Sequence, residues 1–429
     1  MRPLLIALSA LMVSALLLLA GCNGVADGSS DGVVTPTPTP APATRAVPAA
    51  ANNIATVVVD AGPPAVVSSS TRSLNVPFVT VTVCQPGSST NCATIDHVLV
   101  DTGSTGLRLV ASAMGSISLP TQNVSTPNGS GVLTSCLNFA DGEIWGPVKK
   151  VDLSIAGEKA SNIAVQIIGD SSYPDSTVPN ACSLVGSNEN SVAALGANGV
   201  LGVSPLRQDC GTACANSAID SLYYVCVTPT DCRATTVATA NQISNPVAFF
   251  NTDNNGVALS MPSLSDTGAG TATGALVFGI GTQSNNGLIS EKVLDATGTY
   301  TPISYNGTTY ANSFVDSGSN LYFLPSNINL TRCSASGLTT YFCPSTQQTL
   351  ALTVFSATQA TSTTASINIG NAANLTSNND THALNNIGTI NSAIPNSIDL
   401  GLPFFYGRWV FNALEDASTS GGTGPYVAF

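Results

Sequence analysis

The sequence predicts a chain that is all-β or nearly so, with strands that pair across long stretches of sequence. Three observations carry that expectation. Short runs rich in Val, Ile and Thr recur along the chain, punctuated by Gly, Asn, Ser and Pro. Long helical patterns are scarce. One short pattern, an acid that follows an apolar run and precedes a hydroxyl residue, Gly and Ser, occurs twice: Val98-Leu99-Val100-Asp101-Thr102-Gly103-Ser104 and Phe314-Val315-Asp316-Ser317-Gly318-Ser319. With 429 residues the chain is long enough for a large two-lobed domain. A composition 43% hydrophobic and only 8% charged is the reverse of a disordered one, so most of it should fold. A net charge of −12 with 12 basic residues leaves no patch to hold phosphate, which argues against a nucleic-acid partner.

In chain order, the first element is an apolar run from Leu4 to Leu19, preceded by Arg2 and followed by Ala20-Gly21-Cys22. It is short for a spanning helix and ends at small residues, so residues 1–21 read as a cleaved export signal. Leu19-Ala20-Gly21-Cys22 resembles a bacterial lipobox, in which Cys22 is lipidated and heads the mature chain. Asn23 after it resembles the sorting residue of outer-membrane cargo. The expected location is therefore the bacterial cell envelope, lipid-anchored at the outer membrane, on its periplasmic or surface face. Residues 22–52 form the lipidated Cys and a linker rich in Pro, Thr and Ala, extended by Thr35-Pro36-Thr37-Pro38-Thr39-Pro40-Ala41-Pro42. Strands are expected over 57–59, 76–83, 97–100, 151–155, 163–168, 257–261, 275–278, 350–355 and 367–369. Short helices are expected near 216–224 and 245–251.

Setting Cys22 aside leaves an even number of cysteines. Close spacing suggests disulfides joining Cys84 to Cys92, Cys210 to Cys214, Cys226 to Cys232 and Cys333 to Cys343, which leaves Cys136 for Cys182. Spacing alone does not fix connectivity. A metal site is the alternative, but no Cys-x-x-Cys occurs and His97 and His382 lie far from the cysteine clusters. Disulfides suit an exported chain, and no metal or cofactor is expected.

With these residues in view, the part after the linker resembles the pepsin-like aspartic peptidases. Asp101-Thr102-Gly103-Ser104 and Asp316-Ser317-Gly318-Ser319 match that family's two catalytic loops, and residues 75–83 its opening strand. Gly199-Val200-Leu201-Gly202-Val203 and Ile398-Asp399-Leu400-Gly401-Leu402 stand where each lobe has an apolar-apolar-Gly segment bracing its loop. Residues 404–415 and Pro425-Tyr426-Val427-Ala428-Phe429 resemble the closing strands. The resemblance implies an all-β, bilobal pepsin-like fold of two pseudo-symmetric β-barrel-like lobes with the cleft between them. The N-terminal lobe, with the Asp101 loop and a flap, would span 53–258, and the C-terminal lobe, with the Asp316 loop, 259–429.

The chemistry follows from the pair. Two carboxylates a few ångströms apart cannot both ionise cheaply, so one proton is shared. The ionised member takes a proton from a water between them while the protonated member polarises the scissile carbonyl, a route that needs no metal and no covalent intermediate. By resemblance, Asp101 and Asp316 are catalytic, the Thr102 and Ser317 hydroxyls cross-brace the loops, and Ser104 and Ser319 bond the outer carboxylate oxygens. Gly103 and Gly318 leave room that a Cβ would fill. Either run alone would read as an Asp-hydroxyl-Gly turn capping a strand.

Some residues depart from the family pattern. The flap matches Phe139-Ala140-Asp141-Gly142-Glu143-Ile144-Trp145-Gly146, which puts Phe139 where the family has a Tyr, and Arg108 stands where the Trp bonded by that Tyr would be. Closure would then pass through Trp145 or an Arg108–Glu143 pair, or Phe139 and Trp145 are ordinary hairpin packing. The functional expectation is an exported, lipid-anchored aspartic endopeptidase, a hydrolase acting as a monomer on an extended peptide or protein substrate and touching the membrane only through its anchor. The alternative is a catalytically weak or inactive pepsin-fold lipoprotein serving as a binding or inhibitor module.

Overall fold

The β-branched run Ile54–Val59 makes a strand whose main partner is far along the chain: it lies antiparallel to Ala272–Phe278, with Ile54 opposite Val277. This pairing, seen in the computed structural model, begins a six-strand platform built from both halves of the chain. From Ala272–Phe278 the order continues through Gly256–Ser260, Trp409–Ala413, Tyr426–Ala428 and Val293–Asp295, each antiparallel to the last. The structure describes residues 45–69, 72–139, 142–183 and 186–429. The export signal, Cys22, most of the linker and Asp141 lie outside the described residues.

Each half repeats one motif. In the first, Cys92–Asp101 runs parallel to Gly199–Val203, which is antiparallel to Thr105–Val110, which in turn is parallel to Glu158–Ile168. In the second, Phe314–Val315 runs parallel to Asp399–Leu400, which is antiparallel to Tyr322–Leu324, itself parallel to Gly388–Ile390. The repeated four-strand pattern and the shared platform are the bilobal, nearly all-β architecture expected from the sequence. The braces sit tight against the loops they hold. A Cβ on Gly202 would lie 2.8 Å from the Ser104 backbone, and one on Gly401 would lie 2.2 Å from the Leu321 carbonyl, so only glycine fits at either position.

All the expected strands form. The cysteine pairs suggested by spacing are the pairs found: Cys84–Cys92, Cys136–Cys182, Cys210–Cys214, Cys226–Cys232 and Cys333–Cys343. The helix expected over 216–224 does not form. The short helix Thr212–Asn216 ends where it should begin, and Tyr223–Thr228 is a strand paired with Gly129–Asn138. Its Tyr223 and Val225 are fully buried, so aromatic and β-branched packing in a sheet overrode a weak helical period. The other expected helix is the 3₁₀ turn Pro246–Phe249. Among the described residues, no helix is long and apolar enough to cross a membrane.

Candidate active site

The strand Cys92–Asp101 ends on Asp101, and Phe314–Val315 delivers Asp316, so the two parallel-braced strands carry the two acids to one place. Each acid is folded back onto its own loop. Asp101 Oδ1 accepts the Gly103 and Ser104 backbone N–H groups at 2.8 and 3.1 Å, and Oδ2 accepts the Ser104 hydroxyl at 2.5 Å. Asp316 repeats this: Oδ1 accepts the Gly318 N–H at 2.8 Å and Oδ2 the Ser319 hydroxyl at 3.0 Å.

The loops are locked by hydroxyls crossing from one half to the other. Thr102 N–H donates to Ser317 Oγ at 3.1 Å, and Ser317 N–H donates to Thr102 Oγ1 at 2.9 Å. Ser317 Oγ–H then donates to the Val100 carbonyl at 2.7 Å, and Thr102 Oγ1–H to the Val315 carbonyl at 3.4 Å. Thr102 and Ser317 are buried, so these bonds are made away from competing water.

The glycines bring the acids together. A Cβ on Gly103 would lie 2.7 Å from the Asp316 carboxyl carbon, and one on Gly318 would lie 2.6 Å from that of Asp101. Each carboxyl thus occupies the space over the opposite glycine, and the two lie within hydrogen-bonding reach of each other. Burial first, then the charges of Asp101 and Asp399, pushes the Asp316 carboxyl well above the usual carboxylate range. Such a pair holds a proton at pH values where isolated carboxyls have lost theirs, so it can give and take protons in one site. Each acid is 1% exposed.

A cavity of about 480 Å³ opens beside the first loop, lined by Gly103, Ser104 and Thr105 on one side and by residues from Leu206 to Ala213 on the other. Arg108 also lines it. The guanidinium is buried and donates to Asp209 Oδ2 at 2.8 Å and to Gln166 Oε1 at 2.5 Å, while the Tyr223 hydroxyl donates to Asp209 Oδ1 at 2.6 Å. The Arg108–Glu143 pair expected from the sequence is not made, because Asp209 holds the Arg108 guanidinium instead. Phe139 is fully buried among Leu137, Ile144 and Ile168, and Trp145 packs edge-on to Tyr224 with ring centroids 5.5 Å apart. Phe139 lies at the turn end of the hairpin Gly129–Asn138 and Gly142–Ile155, where its N–H donates to the Gly142 carbonyl, and Trp145 stands opposite Cys136 close to that turn. Gly142 admits the Ser187 carbonyl, 2.3 Å from where its Cβ would be.

Asp209, Gln166 and Tyr223 were not legible as site residues, since nothing in their local sequence marks them. Asp399 was legible in principle. The run Ile398-Asp399-Leu400-Gly401 has the pattern of an apolar brace although an acid stands inside it.

A family model described as "Protein of unknown function (DUF3443)" matches residues 49–429. No curated protein matches the sequence. Among solved structures, the chain is similar to the crystal structure of an aspartic proteinase from Irpex lacteus, at 16% identity over 87% of this chain and 96% of that one, with a TM-score of 0.42.

Proposed function

The chain belongs to the DUF3443 family, and we propose that it is an aspartic endopeptidase in which Asp101 and Asp316 activate a water between them. The observation that carries this reading is the mutual packing of the two carboxyls, each over the other loop's glycine, with a shared proton favoured by burial. The ionised carboxyl takes a proton from the water as its oxygen attacks the scissile carbonyl. The protonated carboxyl hydrogen-bonds the carbonyl oxygen, and the amide nitrogen leaves with a proton from the pair as the C–N bond breaks. An extended peptide with apolar side chains suits the cavity beside Gly103, whose walls include Leu137, Leu206, Ile219 and Leu222. The proposal includes export, lipid attachment through Cys22, residence in the bacterial envelope and action as a monomer.

A second reading is a binding or inhibitor module of the same fold. It is favoured by the slight exposure of both acids and by a hairpin whose aromatic residues are committed to the core. One experiment separates the two. The full chain, made in an oxidising compartment, is offered an unfolded protein substrate from acid to neutral pH, alongside Asp101→Asn and Asp316→Asn. Cleavage by the wild type that falls at least 10³-fold in each variant is expected, on the scale of losing an acid–base group and the charge it stabilises. A folded wild type that cleaves nothing across that range leaves the binding module standing.

A further inference from the structure

Asp399 is a buried acid that the chemistry of the pair does not use. Its place is defined by the repeat between the halves. Val200 stands opposite Leu99, two residues before Asp101, and Asp399 stands opposite Phe314, two residues before Asp316. Where the first half sets a fully buried valine, the second sets a carboxylic acid that is also fully buried. The fold therefore does not require an acid at this position, since an apolar side chain fills it in the other half. Neither oxygen of Asp399 accepts a hydrogen bond of normal geometry. An ionised carboxylate so placed is heavily penalised, whereas a protonated one is an O–H donor. Beside it lies the Ser319 hydroxyl, which donates to Asp316 Oδ2 at 3.0 Å.

We infer that Asp399 is a third carboxyl of this site, a positioning residue that stays protonated, donates to the Ser319 hydroxyl and so aims that hydroxyl at the outer oxygen of Asp316. Burial above all, and then the Asp101 charge, pushes the Asp399 carboxyl well above the usual range, against the pull of Ser319. The charges bearing on it are those of Asp101 and Asp316, and no cation among the described residues is seen to offset them. The flanking strands place Phe314 and Phe323 opposite it, neither of which titrates. The kinetic consequence rests on the peptidase reading, but the protonation does not.

The test is urea unfolding of the full chain from pH 4 to pH 8, comparing wild type with Asp399→Asn and with Asp399→Val, the residue used in the other half. A folded state that keeps a proton released by the unfolded chain loses stability as pH rises, by up to tenfold in the folding constant per pH unit. Both variants should lose that component and gain on the wild type by up to this factor per unit above about pH 4, near the ordinary aspartate value. Equal pH dependence in wild type and variants overturns the inference, whether or not the protein cleaves anything. In a cleaving protein, Asp399→Asn, which keeps a donor, should retain at least tenfold more kcat than Asp399→Val at similar KM. Equal kcat in the two overturns the positioning role alone.

Discussion

The crossed hydroxyls invite a quantitative test, because Thr102 and Ser317 make matched bonds of unequal quality. Ser317→Ala removes the acceptor of the buried Thr102 N–H, at 3.1 Å, and the donor to the Val100 carbonyl, at 2.7 Å. A buried donor left without a partner costs about 1–3 kcal/mol, and a lost ordinary bond about 0.5–1.5 kcal/mol more. The expected destabilisation is therefore about 2–4 kcal/mol. Thr102→Val removes the acceptor of the Ser317 N–H, at 2.9 Å, but its other bond, to the Val315 carbonyl at 3.4 Å, is long and weak. Its cost should stay near the single-orphan figure of about 1–3 kcal/mol, roughly 1 kcal/mol below that of Ser317→Ala. The two side chains brace the same pair of loops, so the double variant should depart from additivity by about 0.5–3 kcal/mol. Urea unfolding of the four proteins at one pH measures all three quantities. Cleavage, where present, should fall by roughly 10²-fold in the double variant although both carboxyls remain, because a shift of the loops by about 1 Å misplaces the pair. Two single variants within 0.5 kcal/mol of wild type, or strict additivity, would refute the claim that the hydroxyls hold the acids in place.

Two further outcomes are expected. Burial and the neighbouring Asp253 push the Glu158 carboxyl from its ordinary value near 4.5 up to about 7. Stability from its neutral form is complete below the ordinary value and is lost as pH rises through about 7, so Glu158→Gln should remove that loss, and parallel wild-type and variant curves from pH 4 to 8 would contradict it. Arg108→Leu leaves Asp209 as a buried carboxylate without its cation and should cost about 3–5 kcal/mol in urea unfolding. Adding Asp209→Leu should recover part of it, and a single variant within 1 kcal/mol of wild type would contradict the buried pair.

Much of the fold was legible because burial on one or both faces of a strand leaves a plain trace. Val79, Val81 and Val83 are buried and alternate with more exposed threonines, and the two Asp loops announce themselves by repetition. The two carboxyls pack over the opposite loops' glycines, and the Thr102 and Ser317 hydroxyls cross between the loops. What stayed hidden depends on partners distant in sequence. Tyr223 looks helical beside its neighbours and becomes a strand residue only because Ser135 stands opposite it. Arg108 could be placed near the flap by counting, but its buried partner is fixed by how the segment after Gly202 folds back. Asp399 is hidden in the sequence because residues 398–402 are mostly apolar, and only the register against Phe314 shows that the acid stands where Val200 does in the other half.

The platform also sets an order of events. Strand Ile54–Val59 is among the first to be synthesised, yet its neighbour is Ala272–Phe278, and the platform is complete only once Trp409–Ala413 and Tyr426–Ala428 have been made. A nascent chain that has reached residue 390 already contains both acids, but it lacks the strand Asp399–Leu400 that runs alongside Phe314–Val315. Pairings this distant make folding slow, since a long loop must close before they return any stability. During that interval Asp101 and Asp316 lack the packing that presses them together, so the pair exists only once nearly the whole chain has been made.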